Sequence, residues 1–478
     1  MKKLVATILA LALAFSVTTI SWASEVENVA QTTKGNTTTQ YSSLAKALNA
    51  AKDGGTVELL KNVTLTSKWT TVGTETEPFK GTFDGKGYTI TGLIIPTSDN
   101  EYNEYMGFIG MLDGGTVKNV KFASVSVNGK DDVGTAVGRI INGGIVSGVR
   151  VLGGTVSGAK RVGGVVGSIK ASGTVSDCTN AAVVTANDRN AGGIVGSAYY
   201  TATGQQMYIT NCVNNGAVTA SGVCGGIVSL SAANVSGNTN TAAVKGTEVG
   251  GIVGEQKSYG SVTNNTNSGS VTNNTNSGAV TNTSENAAYG AGGIIGWLRY
   301  HGTSEASAYK VSDIISVTGN KNSGSVTGGN DAGGIVGTVY NSAVIMNNKN
   351  TATSFSATTF AAGIVGNYQT TETPAATAPA QNKLTFGSNN TSTATLDQIN
   401  APCKALLIYT NDNPIIEEVV PDPTPEQPPR YYYSSTTTDT KTDTTKGSPK
   451  TFDAGIGIYA VTAVLSVTGM AWTAKKRH

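Results

Sequence analysis

The stretch Gly192-Gly193-Ile194-Val195-Gly196 decides the fold of this chain, because it recurs along the whole middle of the sequence. Pure copies stand at Gly250 to Gly254 and at Gly333 to Gly337. Looser ones are Gly163-Gly164-Val165-Val166-Gly167, Gly225-Gly226-Ile227-Val228-Ser229, Gly292-Gly293-Ile294-Ile295-Gly296 and Ala362-Gly363-Ile364-Val365-Gly366. Two degenerate forerunners are Gly107-Phe108-Ile109-Gly110 and Gly134-Thr135-Ala136-Val137-Gly138. The nine copies close 28, 29, 29, 33, 25, 42, 41 and 29 residues apart, which is the spacing of a solenoid. A solenoid unit buries its apolar face only against its neighbours, so the chain grows by stacking coils rather than by adding separate cores.

Composition agrees. Glycine accounts for 60 of 478 residues and charged residues for 13%, about half the usual share. Each repeat follows one grammar: the glycine motif, a variable loop, a segment ending in Asn, then a short strand such as Gly216-Ala217-Val218 or Gly324-Ser325-Val326. This reads as three short strands per coil, with Ile and Val inward and Gly where backbones bend or approach closely. Asn180, Asn214, Asn238, Asn267, Asn276, Asn322 and Asn350 recur at corresponding corners, and amides stacked at the strand spacing can bond along the axis as a ladder. Val262, Val271 and Val280 mark a nine-residue sub-repeat, Ser-Val-Thr-Asn-Asn-Thr-Asn-Ser-Gly, expected as an elongated loop or an extra strand.

Before the repeats, Tyr41 to Gly54 reads as an amphipathic helix with Leu44, Ala47, Leu48 and Ala51 on one face, placed to close an end of the stack. Strand-like Thr56 to Leu59 and Val63 to Leu65 follow. Then comes Phe79 to Leu93, with turn signals at Asp84-Gly85 and Lys86-Gly87.

The sequence from Phe79 to Leu93, followed by the Gly-Gly-hydrophobic-hydrophobic-Gly repeats, resembles bacterial surface proteins carrying GLUG repeats. The resemblance covers Ser42 to about Leu384. It implies an all-β, pectin-lyase-like, right-handed parallel β-helix (β-solenoid) with an N-terminal capping helix, and a surface location more than any activity.

The two ends read as addresses. Lys2 and Lys3 precede the apolar run Leu4 to Phe15, and Ser21-Trp22-Ala23 offers small residues to a signal peptidase. Ala454 to Ala474 carries no charge and is followed by Lys475-Lys476-Arg477-His478, as expected of a transmembrane anchor with a cytoplasmic basic tail. Directly before it stands Ser448-Pro449-Lys450-Thr451-Phe452, which resembles the Gram-positive cell-wall sorting signal. In that family a sortase cuts after the Thr and joins it to peptidoglycan. Pro449 and Thr451 match the pattern; Ser448 replaces the usual Leu and Phe452 the usual Gly, which implies a sortase of different specificity or retention of the span as the anchor.

The expected organisation is a signal peptide at 1–23, an N-terminal cap and first strands at 24–100, the GLUG-repeat β-helix at 101–410, a Pro/Thr-rich disordered stalk at 411–447, and the sorting signal, span and tail at 448–478. Without Lys2, Lys3, Asp453, Lys475, Lys476 and Arg477 the formal charge falls from +2 to −2. So balanced a chain offers no long-range field for nucleic acid.

Catalytic chemistry has little to build on. His301 and His478 are the only histidines, so a two-histidine zinc motif cannot form in the mature chain. No catalytic, metal-binding or cofactor-binding residue is assigned. The carboxylates fall in different registers, though Asp131-Asp132 and Asp331 stand just before glycine motifs. Cys178 and Cys212 occupy equivalent places in neighbouring repeats, either bonded or filling the core. Tyr200, Trp297, Tyr300, Tyr340 and Tyr368, with Tyr199 and Tyr259, follow glycine motifs closely and are the candidate ligand face, a column on which sugar rings could pack. The expected role is a non-enzymatic, exported adhesin in the cell wall or at the surface of a Gram-positive bacterium. Its expected partners are sortase, peptidoglycan and a host glycan or matrix protein. A carbohydrate-active β-helix enzyme and a purely structural spacer are the alternatives.

Overall fold

The computed structural model describes residues 27–96, 104–199 and 206–257, then 261–263, 266–267, 271–273, 290–299, 315–329, 331–340, 343–352, 355–357, 360–369, 384–386, 389–392, 409–410 and 413–414. The expected signal peptide, sorting signal and membrane span lie outside these residues, as does nearly all of the stalk. Among the described residues no helix is long and apolar enough to cross a membrane.

The described chain is a parallel β-solenoid. One coil shows the plan: side I is Gly173–Ser176, side II Thr179–Asn180, side III Val183–Ala186, side IV Ala191–Gly192 and side V Val195–Ala198. Equivalent strands of successive coils pair in parallel, and sides III, IV and V each hold nine strands. Each of the nine glycine motifs opens one strand of side V. There are thus five strands per coil where the sequence suggested three. The difference arises at the corner between sides I and II, where one residue in the left-handed region turns the chain in a single step. Asn119, Asp177, Asn211 and Asn347 hold φ of 52 to 56° there, and Gly148, Gly237 and Gly319 hold 62 to 68°. Asn, Asp and Gly are the residues that tolerate this conformation.

The glycine motif is the corner between sides IV and V, and each of its glycines has its own steric reason. A Cβ on Gly192 would fall inside van der Waals contact of the Val195 carbonyl of its own coil. On Gly193 it would strike the Gly226 carbonyl of the next coil and the amide of Asn214. On Gly196 it would meet Gly167 and Arg161 of the previous coil. Ile194 and Val195 are fully buried between them.

That contact makes the amide ladder and the glycine motif one device. The Asn180 amide donates to Asn214 Oδ1 and the Asn214 amide to Asn240 Oδ1, both at 2.9 Å. Asn267 continues the register, and Asn322 donates to Asn350 at 3.0 Å. The ladder member in the third of these coils is Asn240; Asn238 belongs to a second column two residues earlier, where Asn320, Asn348 and Asn390 bond in series at 2.9 and 3.0 Å. Asn276 lies outside the described residues. In the first coils the ladder positions are apolar, Ile90, Phe122 and Val151. Phe108 there packs against Trp69, Phe83 and Phe122 with ring centroids 5.0 to 5.4 Å apart.

The nonapeptide duplication is neither loop nor extra strand. Its first two copies supply Ser261–Thr263 on side I, Thr266–Asn267 on side II and Val271–Asn273 on side III of an ordinary coil. Val262 and Val271 are nine residues apart because that spacing carries the inward residue of side I to that of side III, as from Val175 to Val184 and from Ile209 to Val218. The true insertions are residues 274–289 and 300–314.

At the N-terminal end side I gains an antiparallel hairpin, Ala30–Lys34 and Thr37–Tyr41, outside Thr56–Leu59. The expected helix is present as Leu44–Ala50, with Ser43 as N-cap and Leu44, Ala47 and Leu48 buried. Thr32 Oγ1 donates to the Ala47 carbonyl at 3.0 Å and ties the helix to the hairpin.

Candidate functional site

Of the aromatic residues singled out from the sequence, Trp297, Tyr340 and Tyr368 stand at three different register positions of side V. Trp297 pairs with Glu255 and Thr338 on side V and is 8% exposed. Tyr340 stands two residues further along its strand, between Arg299 and Gln369, and Tyr368 pairs with Val339 one residue from that. Tyr199 is exposed, with the Lys257 ammonium 4.2 Å from its ring centre. Tyr200, Tyr259 and Tyr300 lie outside the described residues.

What the structure brings together is a polar seam between sides IV and V. The residue before each Val-Gly or Ala-Gly that leads into the motif faces the residue seven positions later. Asp132 is thereby joined to Arg139, and Asp331 accepts a hydrogen bond from Thr338 Oγ1 at 2.8 Å. Glu248 and Glu255, both buried, stand at the same seven-residue spacing. The i, i+7 spacing is present in the sequence but was hidden by the turn inside it.

The seam is most strained near its N-terminal end. Tyr105, Asp132 and Arg161 occupy equivalent places in three successive coils, all with left-handed φ of 53 to 59°. Non-glycine residues there cost on the order of 1–2 kcal/mol each. An ionic cluster holds them. Asp132, fully buried, receives Arg139 and Arg161, the latter at 2.5 Å through Nε; Arg161 also reaches Asp131 at 3.4 Å. The Arg139 guanidinium donates to the Tyr105 hydroxyl at 3.2 Å and lies 4.4 Å from its ring centre. Further along, Glu255 pairs with Lys257 at 3.6 Å, and Asp331 also accepts from the Asn367 amide at 3.0 Å. Burial nevertheless pushes the Asp331 carboxyl above its usual range. Among the described residues no group of three His, Cys, Asp or Glu could hold a metal ion.

Cys178 and Cys212 lie in register on adjacent coils, at the position held by Asn238 in the next one, and both are buried free thiols. Their Sγ atoms donate to the Ser176 and Thr210 carbonyls at 3.1 and 3.3 Å. Burial pushes the Cys212 thiol well up, which keeps it protonated.

No protein-family profile matches the chain. Over 64 residues, 13% of its length, it is 45% identical to halomucin of Haloquadratum walsbyi (strain DSM 16790 / HBSQ001), and that stretch is 1% of halomucin. In backbone it is similar to the crystal structure of a Bacteroides ovatus protein described as a candidate immunoglobulin A1 protease. The TM-score is 0.32 at 16% identity, over 68% of this chain and 82% of that one. A score this low transfers neither fold detail nor activity.

Proposed function

We propose that this chain is an exported β-solenoid, attached to a cell surface through its C-terminal segment, that works by binding a glycan or protein and not by catalysis. The leader at 1–23, the Ser448 to Phe452 motif and the uncharged span after it support export and attachment, with sortase and peptidoglycan as partners. One observation carries the non-catalytic reading: three carboxylates of the seam that could serve as acid or base are engaged inside the scaffold. Asp132 is clamped by two guanidiniums, Glu255 by Lys257, and Asp331 by an amide and a hydroxyl. The test is to screen the segment from Ser24 to Thr451 on arrays of glycans and matrix proteins. Absence of any binding sinks the adhesin reading and leaves a spacer.

A second reading has one specific observation behind it. Glu255 pairs with Trp297 of the next coil, and Glu248, also buried, stands seven residues before Glu255 on the adjoining side. Paired carboxylates beside an aromatic ring are what polysaccharide cleavage uses. Release of reducing ends from a neutral or acidic polysaccharide, abolished by Glu255→Gln, would replace the binding reading with an enzyme.

A further inference from the structure

We propose that the outward face of side I, centred on Tyr208, is the platform on which this solenoid binds an uncharged polysaccharide. The inference rests on the binding reading above and names its surface and ligand class. The strands of side I run three to five residues, so two outward positions flank each inward residue. In register these form two columns: Ile145, Thr174, Tyr208 and Asn234, and beside them Ser147, Ser176, Thr210 and Ser236, with Ser316 and Thr318 at the same two positions further along. Neighbours along a column are about 4.8 Å apart and the columns about 6.6 Å apart, from strand spacing and rise.

Two features point to the ligand. The first is the change of chemistry along the second column. In the early coils it carries Glu58, Asp84 and Lys118, and these are tied up in ion pairs, Glu58 with Lys86 at 3.2 Å and Asp84 with Lys118 at 3.6 Å. From Ser147 to Thr318 neither column has an ionisable carboxylate or ammonium, only hydroxyls, one amide, one apolar residue and one phenol. An anionic or cationic polymer finds no counter-charge on this stretch, whereas a neutral sugar chain can exchange water for hydroxyl contacts at little desolvation cost.

The second is Tyr208 itself, 39% exposed in the middle of the lattice. Its hydroxyl donates to Gln206 Oε1, which fixes the ring at the surface. A large aromatic ring held open on a flat polar sheet supplies the apolar contact that a sugar's C–H face needs. The outward face of side III also carries hydroxyls, at Ser157, Thr185 and Thr219, but Lys245 interrupts them and no aromatic ring stands among them.

The experiment uses the full chain in sedimentation assays with insoluble cellulose, chitin and β-1,3-glucan, with pectate as the charged contrast. Tyr208→Ala changes an exposed position and Ser176→Lys a half-buried outward one, and Thr185→Lys, half-buried on side III, is the control. The expected result is binding to at least one neutral polymer over pectate, weakened about tenfold or more by Tyr208→Ala and by Ser176→Lys and unchanged by Thr185→Lys. If a neutral polymer binds but both side I variants bind as the parent does, or if pectate is preferred, this surface assignment is overturned while the binding reading stands. If neither these polymers nor the arrays capture the chain, both are overturned.

Discussion

Replacing Asn214 by Val tests whether the amide ladder holds the coils in register. Asn214 is fully buried and makes four bonds: it accepts from the Asn180 amide, donates to Asn240 Oδ1, donates to the Gly216 carbonyl at 2.9 Å and accepts from the Gly216 N–H at 3.3 Å. Val strands both Gly216 backbone groups and cuts the ladder on two sides. At about 1–3 kcal/mol per unsatisfied buried group the loss is about 2–6 kcal/mol for the backbone alone. Burial of the new methyl groups returns part of it, about 1.5–3 kcal/mol. A net loss of about 2–4 kcal/mol is expected. Asn180→Val is the internal comparison, because the coil before it carries Val151 and the ladder is cut on one side only. It should cost about 1 kcal/mol less, one buried bond. Because a solenoid opens coil by coil, the readout is amide hydrogen exchange by mass spectrometry, not a single melting midpoint. Protection should fall most at 213–216 and at the paired strands 179–182 and 239–242. Equal losses for the two variants, or unchanged protection in Asn214→Val, would refute the claim that the ladder stabilises register.

The glycine motif gives a second contrast. Gly193→Ala drives a methyl into the next coil's carbonyl and the Asn214 amide, and should abolish protection across two coils; Gly143→Ala, at φ +81° with only Ser172 Oγ at 3.9 Å, should cost about 1 kcal/mol by backbone strain. Asp331 gives a pH dependence. Its folded-state pKa is raised by burial, so the native state holds a proton that the unfolded state releases, and stability falls as pH rises from the unfolded value near 3.9 through the raised one. Asp331→Asn should therefore match or exceed the parent at pH 7 and lose that advantage near pH 4, as measured by exchange protection at 331–338. The buried thiols of Cys178, Cys212 and Cys224 should resist iodoacetamide in the folded chain at pH 8 and react fully in urea; rapid native labelling of Cys212 would contradict its burial.

The solenoid was legible in the sequence because its signal is a repeated steric necessity. Glycines crowded by neighbouring backbone, around two residues that must be buried, leave a similar trace in coil after coil, with departures such as Ser229 and Ala362. The amide ladder was legible for the same reason, yet its phase slipped by two residues at Asn238. Asn238 and Asn240 both face inward on one side, and periodicity alone cannot tell two parallel columns apart. The number of strands per coil was misread because a single left-handed residue makes a corner, and Asn119 or Asp177 leaves no stronger mark than an ordinary polar residue. The seam stayed hidden because its partners are seven residues apart across a tight turn, a spacing that belongs to neither strand nor helix. The register of the aromatic residues was not legible either: Trp297, Tyr340 and Tyr368 lie one, three and two residues after their motifs, and so at three different positions along side V.

The same position-coding explains how the coils can vary without losing the fold. The ladder site is Ile90, Phe122 and Val151 in the first coils, then Asn from Asn180 to Asn350, and Ser392 at the last described coil. Apolar burial is strong but indifferent to small shifts along the axis, whereas an amide bonded above and below is satisfied only in one register. The Phe-rich first coils therefore supply a firm, non-directional base. The later coils, poorer in large side chains, rely on directional bonds to settle on it. A coil added in phase meets its ladder partner and its glycine contact together, which is why the nonapeptide duplication could become an ordinary coil. Function has then to reside where this code is silent, on the outward positions and in insertions such as 274–289 and 300–314. In sequence those two insertions flank a single pair of strands, Gly290–Gly292 and Ile295–Arg299, which keep their register with the coils on either side.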